Sequence, residues 1–250
     1  MFQTIKTSKI EFRGSDVLDK DLAVPKSANK FIPNWFKKLP SFLGVLDNNS
    51  ITNAISEDGI QGNATIKKCV PVLDAFGFGY IIPMPVDCIV KKTSEGVEFG
   101  WKFEGCPGME TLMSSHSEDQ VKGCPMSSGT NDNLFYKAHN PWRIYTPKGY
   151  SCLITAPLNR GELPMQILSG VVDTDSYHQV NFPFVLNVDE GDHLIQAGTP
   201  LAQVIPFKRE KWKSEISLLT EDQVGRDKAS FDSFLHEFYK RKHHVKKSFL

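Results

Sequence analysis

The densest chemistry in this sequence lies in Asp173-Thr174-Asp175-Ser176-Tyr177-His178, two carboxylates, a phenol and an imidazole directly behind the apolar Gly170-Val171-Val172. Two acids ending an apolar strand are costly to bury unless paired or solvated, so they belong at the rim of a sheet. With Arg160 nearby, such a cluster accepts a proton from water or binds a polar ligand, and Asp173 is the candidate base. The competing reading is a β-turn held by Asp side chains bonded to their own backbone.

A second group is Cys106, His116, Cys124 and His139. Thiolates and imidazoles suit zinc, yet structural zinc sites pair ligands two to four residues apart, whereas these lie ten, eight and fifteen apart. The spacing therefore predicts no metal centre, and zinc is not expected. His116-Ser117-Glu118 has the His-x-acid form of a facial-triad iron site, for which His178 or His193 would supply the second imidazole, but no basic residue follows suitably for a co-substrate. Gly77-Phe78-Gly79 lacks the third glycine and the helix of a dinucleotide loop. Lys240, Arg241, Lys242, His243, His244, Lys246 and Lys247 form a basic tail, read as a solvated helix end.

The chain that must position these groups has 250 residues, with 29 basic and 29 acidic side chains and 40% hydrophobic content. Zero formal charge argues against a general nucleic-acid binder, which needs surplus Lys and Arg. No apolar run reaches membrane-span length and the first residues carry no secretory pattern, so a cytoplasmic protein is expected, in the host cell if phage-encoded. Five cysteines, an odd number, do not make a disulfide framework at this size.

One domain is expected over residues 1–250: an irregular N-terminal segment at 1–58, a β core at 59–210 with a long loop at 105–133, and a helical segment at 211–250. Around Pro33 and Pro40, Phe31, Ile32, Trp35, Phe36 and Leu39 recur at helical spacing, which predicts a short helical turn laying its aromatics, Trp35 and Phe36 among them, on the core or on an interface. From Thr65 to Trp101, and again from Leu134 to Phe207, Val, Ile, Phe and Tyr alternate or cluster in short runs between Gly and Pro. Pro71, Pro83 and Pro85 cannot donate ladder hydrogen bonds, which makes their strands short, bulged or edges. No helical stretch interrupts the second series, so the sheet is not a parallel βα type. After Trp212 the period turns helical, with Phe231, Phe234, Leu235 and Phe238 on one stripe and Ser230 placed to cap. The fold class is all-β with a C-terminal helix.

Within the core, four features follow in order: the turn Pro147-Lys148-Gly149, then Asn159-Arg160, then Gly170 to Tyr177, then Gly198 to Gln203. This succession resembles the dUTPase and dCTP deaminase superfamily, with its P-x-G turn, Arg-Ser strand, G-V-I-D-x-D-Y hairpin and G-x-x-I-A-Q strand. The resemblance implies a β-clip, or distorted barrel. It implies a nucleotide ligand at Asn159, Arg160, Asp175, Tyr177 and Gln203, Asp173 as the residue positioning an attacking water, and magnesium accompanying the nucleotide. Tyr177 is displaced by one inserted residue, Ile81 stands where the first-motif acid belongs, Asn159-Arg160-Gly161 replaces the Arg-Ser pair, and no glycine follows Gly225 to form a C-terminal arm. Over most of its length the chain also resembles an uncharacterised family of phage and bacterial proteins, on NWFKKLP, ATIKKCVPVLDAFGFGYIIP, NPWRIYTPKGYSCLITAPLNR, LSGVVDTDSYHQVNFPF and GTPLAQVIPFKREKW. The expectation is a phage-type accessory protein that binds a small polar ligand, a nucleotide by resemblance, without the full hydrolase apparatus. The alternatives are a nucleotide pyrophosphatase or deaminase using Asp173, and an interaction module assembling as a homo-oligomer.

Overall fold

The computed structural model describes residues 8–16, 21–43, 55–56, 59–60, 63–102, 110–116, 118–121, 135–232 and 239–249. The chain divides into two compact units, Met1–Lys30 with Gly79–Glu210, and Phe31–Phe78 with Lys211–Leu250.

The first unit is all-β, built of antiparallel strands. A five-stranded sheet has the order β15-β13-β18-β7-β2, from β2 (Lys26–Ser27), β7 (Tyr80–Pro83), β13 (Tyr150–Thr155), β15 (Gly170–Val172) and the long central β18 (Pro200–Lys208). A four-stranded sheet joins β10 (Met113–Ser115), β11 (Tyr136–Ala138), β16 (Phe182–Leu186) and β14 (Met165–Ile167), and a three-stranded one joins β17 (Gly191–Ile195), β8 (Cys88–Thr93) and β9 (Gly96–Trp101). β1 (Glu11–Arg13) pairs with β12 (Arg143–Tyr145).

Period-two alternation sets which side chains meet. In β8, Cys88, Val90 and Lys92 are buried while Ile89, Lys91 and Thr93 are exposed. Lys92 Nζ donates to the Val188 carbonyl at 2.8 Å, which satisfies its polar end there. Phe182 and Phe184 of β16 join Tyr136 and Ala138 of β11, Met165 and Ile167 of β14, and Cys152, Ile154, Ala202 and Val204 from one face of the five-stranded sheet in a single core. Each fully buried Phe adds about 2–3 kcal/mol relative to exposure. Burial also pushes the Cys88 and Cys152 thiols up to about 11, which makes them poor nucleophiles at neutral pH. Ile81 is 2% exposed, a core residue between β18 and β2. Pro83 ends the four-residue β7, and a bulge at Pro200–Ala202 accommodates the pairing there.

The second unit holds short two-stranded ribbons, β3 (Phe42–Leu43) with β6 (Asn63–Ala64) and β4 (Ile55–Ser56) with β5 (Gly59–Ile60), and the helices α1 (Asn34–Lys38) and α2 (Val70–Gly77). α1 is the helical turn expected between the prolines. Phe36 is buried and packs on Phe76 with ring centroids 4.8 Å apart, and Trp35 edges onto both, so these aromatics build a local core. Residues 70–77 correct the strand reading of VPVLD: Pro71 lies in the first helical turn, where its missing N–H costs nothing and its fixed φ favours the helix.

The C-terminal helix is also corrected. α4 runs Glu221–Asp232, so Ser230 lies inside it, and the cap is Thr220. Thr220 Oγ1 accepts from the Gln223 amide at 3.3 Å while Gln223 Oε1 accepts from the Thr220 amide at 2.9 Å, a reciprocal capping box. Phe234, Leu235 and Phe238 lie outside the described residues. Residues 211–220 belong to no helix or strand. Part of the 105–133 interval is regular, carrying β10 and the one-turn α3 (Glu118–Val121). Among the described residues, no helix is long and apolar enough to cross a membrane.

Candidate functional site

β13 organises the candidate residues, and it separates them. At its start, Pro147-Lys148-Gly149 makes a turn in which the Tyr150 amide donates to the Pro147 carbonyl at 3.1 Å and Gly149 takes φ +87°, a left-handed value that suits glycine. β15 pairs antiparallel with β13, Val172 opposite Cys152, which brings Asp173 beside Ser151. Ser151 Oγ donates to Asp173 Oδ1 at 2.6 Å, and the Gly149 amide donates to Asp175 Oδ2 at 2.8 Å. The Ser176 and Tyr177 amides close the hairpin on the Asp173 carbonyl at 3.0 and 2.9 Å.

The cation in this cluster is Arg209, directly after β18. Its Nη1 lies 3.1 Å from Asp173 Oδ1, 3.0 Å from Asp175 Oδ1 and 3.1 Å from Ser151 Oγ, and its Nη2 bonds Asp175 Oδ2. The Arg209 amide also donates to the Gly149 carbonyl at 2.8 Å, which roots the side chain at the P-x-G turn. A two-pronged guanidinium–carboxylate pair of this kind is directional as well as strong. Asp175 is held down to about 2, first by the Arg209 hydrogen bond and then by the Gly149 amide. Asp173 is lowered by Ser151 first and then by Arg209. Both are carboxylates at neutral pH, and Asp173 is less basic than an isolated Asp, the opposite of the tuning a general base requires.

The sign of the pH effect follows. A depressed carboxylate contributes stability fully above its unfolded value near 3.9, and that contribution is lost as pH falls toward about 2. Asp175→Asn is therefore expected to unfold at lower denaturant than the parent protein at pH 5 and above, with the gap closing between about pH 4 and pH 2. Denaturant midpoints measured across that range check it; a gap that stays constant would mean that the hairpin lock is not ionic.

Arg160 lies elsewhere. It follows the other end of β13, and four residues of rise between Ser151 and Thr155 already put roughly 13 Å between the two ends. Its Nε bonds Glu162 Oε1, not Asp173. Here residues 155–161, with Leu163, Met165, Gln166 and Asn187, line a cavity of about 310 Å³. Asn159 turns the chain at φ +58°, a left-handed conformation that Asn tolerates better than most side chains. Gln203 is 1% exposed beneath this loop, and its Oε1 accepts from the Leu158 amide at 2.8 Å. It shapes the cavity from below. Tyr177 is 61% exposed at the far, Asp173 end, and His178 is committed through Nδ1 to the Ile144 and Thr174 carbonyls, both at 3.1 Å, with its ring stacked on Tyr145.

The metal candidates among the described residues do not converge. Cys106 and Cys124 lie outside the described residues. β10 runs antiparallel to β11, so His116, whose amide bonds the Phe135 carbonyl, and His139, whose amide bonds the Leu112 carbonyl, sit at opposite ends of that ladder. His139 shares a hydrogen bond with Ser114 Oγ at 2.9 Å, and His193 Nε2 bonds the Asp189 carbonyl. Among the described residues, no group of three or more His, Cys, Asp or Glu could hold a metal ion.

No protein-family model matches the chain, and no curated protein does. Among solved structures it is similar to a mutant dUTPase from phage phi11 of S. aureus, which coordinates a structural Mg(II) ion; identity is 12%, the TM-score 0.29, and coverage 57% of this chain and 83% of that one. It is similar to the native dUTPase of EIAV at 11% identity and TM-score 0.28, over 56% of this chain and 86% of that one. A second phi11 dUTPase structure, showing a species-specific insert, aligns at 13% identity and TM-score 0.23, over 44% and 97%.

Proposed function

We propose that this protein is a binding module that takes a small polar ligand, a nucleotide as the favoured class, in the cavity formed by residues 155–161. The observation that carries the reading is the cavity itself. It is about 310 Å³, in the range of small-molecule sites, with Asn159 and Arg160 on its wall and a buried glutamine fixing the loop from beneath. Arg160 is only 13% exposed in its side chain, so an anionic group reaching it would exchange its Glu162 partner for the ligand in a poorly solvated place. The correspondence of Asn159-Arg160 with a phosphate-binding pair favours a nucleotide, and magnesium would arrive on its phosphates. A phage-type accessory role goes with the longer sequence resemblance.

Asp173, Asp175 and Arg209 act in this reading as the hairpin's internal lock. Each carboxylate is already engaged and neither is tuned to take a proton, which weighs against pyrophosphate hydrolysis or deamination through Asp173. Tyr177 stands at that locked end, away from the ligand.

Thermal unfolding with nucleoside mono-, di- and triphosphates, with and without magnesium, tests the proposal. A nucleotide at one hundred times its dissociation constant adds about 2.7 kcal/mol to stability, enough for a clear rise in Tm. Arg160→Ala is expected to weaken binding by about tenfold or more, the loss of one charge-assisted hydrogen bond, while Asp173→Asn leaves the nucleotide shift in place. If no nucleotide moves Tm, the nucleotide reading fails. A shift lost in Asp173→Asn but kept in Arg160→Ala would move the site to the hairpin.

A further inference from the structure

Residues 211–220 bring several large apolar side chains into solvent within a short stretch. Trp212 is 88% exposed, Ile216 and Leu218 are each 96% exposed, and Leu219 is 61% exposed, within ten consecutive residues. Single exposed apolar residues are ordinary, but four so close together mark a contact surface. The Thr220–Gln223 capping box closes the segment at the start of α4.

Its pattern says what kind of contact this is. From Lys211 to Leu218, Trp212, Ser214, Ile216 and Leu218 occupy alternate positions with Lys211, Lys213, Glu215 and Ser217 between them, and Leu219 ends the alternation just before the Thr220 cap. Apolar residues at period two against charged ones are the signature of a half-buried β-strand. The segment nevertheless belongs to no ladder among the described residues. It has a strand's sequence without a strand's partner.

The charges along it select that partner. Lys211 and Lys213 open the segment, and Glu221 and Asp222 follow its end. Two copies laid antiparallel bring the basic start of each beside the acidic end of the other, and stack Ile216 and Leu218 around the shared centre. A parallel arrangement would place like charges together. This self-complementarity is what a twofold interface between identical chains requires. Covering Trp212, Ile216, Leu218 and Leu219 on both copies removes on the order of 1,000 Å² from water, about the lower bound for a stable association. We infer that residues 211–220 are an assembly arm that pairs antiparallel with the same arm of a second copy of this chain. The inference is independent of the ligand cavity.

Light scattering of the full chain at micromolar concentration should give twice the chain mass. Ile216→Glu with Leu218→Glu, both at solvated positions, is expected to weaken association at least a hundredfold and leave the single-chain mass, with the circular dichroism of the β unit unchanged. The pairing itself is tested by charge reversal. A copy carrying Lys211→Glu and Lys213→Glu, and a copy carrying Glu221→Lys and Asp222→Lys, should each be monomeric alone and form a one-to-one dimer when mixed. A wild-type chain that is monomeric or larger than a dimer, a mass unmoved by the two glutamates, or a mixture that stays monomeric would each overturn the arm.

Discussion

Gly79→Ala is expected to cost about 4–5 kcal/mol, in the exceptional range for one methyl group, and to lower Tm by roughly 10–15 °C. Gly79 joins α2 to β7 at φ +77°, and a Cβ there would lie 2.2 Å from the Val204 carbonyl oxygen. Neither neighbour can yield. Val204 is fully buried in the central strand, paired with both Ile154 and Tyr80, and the Gly79 carbonyl accepts from the Ala28 amide at 3.0 Å. Gly149→Ala supplies the control, since its φ is similarly positive at +87° but open space surrounds the new methyl. It should cost only the backbone component, about 1–2 kcal/mol. Thermal or denaturant unfolding of the two variants separates the clash from the dihedral; equal losses would remove the close approach to Val204 from the explanation.

Gln203→Leu should show the second largest effect, on both stability and binding. The substitution keeps the volume near that of glutamine but leaves the Leu158 amide, which lies over the buried Gln203, without the acceptor it has at 2.8 Å. An unmet buried donor costs about 1–3 kcal/mol, which corresponds to a Tm fall of about 5 °C in a chain of this size. The larger consequence falls on residues 155–161, whose path defines the cavity, so the nucleotide-induced rise in Tm should disappear as well. Gln203→Glu retains an acceptor and should preserve more of both. A Gln203→Leu protein with unaltered Tm and unaltered nucleotide shift would show that the loop is held by other means.

The all-β character was legible because alternation in β8 and the short apolar runs of β13, β16 and β18 are local properties. The Pro147–Gly149 turn and the hairpin after Val172 were legible for the same reason. Arg209 was not. It meets Asp175 only because β18 pairs with β13, Tyr150 opposite Lys208, and β13 with β15, a relation across 34 positions that no local pattern encodes. Arg160 is closer to Asp173 in sequence, and that proximity suggested the wrong cation for the hairpin. The eight residues of α2 are too short for periodicity to tell a buried strand from a helix, and Pro71, read as a strand breaker, is a helix starter. Thr220 and Gln223 did carry a recognisable capping signature, but the aromatic stripe after Ser230 drew the helix start ten residues too late.

β18 also fixes the order of events during synthesis. It is the central strand of its sheet, and its neighbours β13 and β7 precede it by about fifty and one hundred and twenty residues. Until residues 200–208 leave the ribosome, β7 and β13 have no strand between them, and the side chains of Ile82, Cys152 and Ile154 lack the Ala202 and Val204 that complete their core. A nascent chain of this protein thus leaves the facing edges of β7 and β13 unpaired until β18 is made. Placing the central strand last in the sheet-forming sequence makes the pairings of β7 and β13 long-range ones, the kind that close slowly.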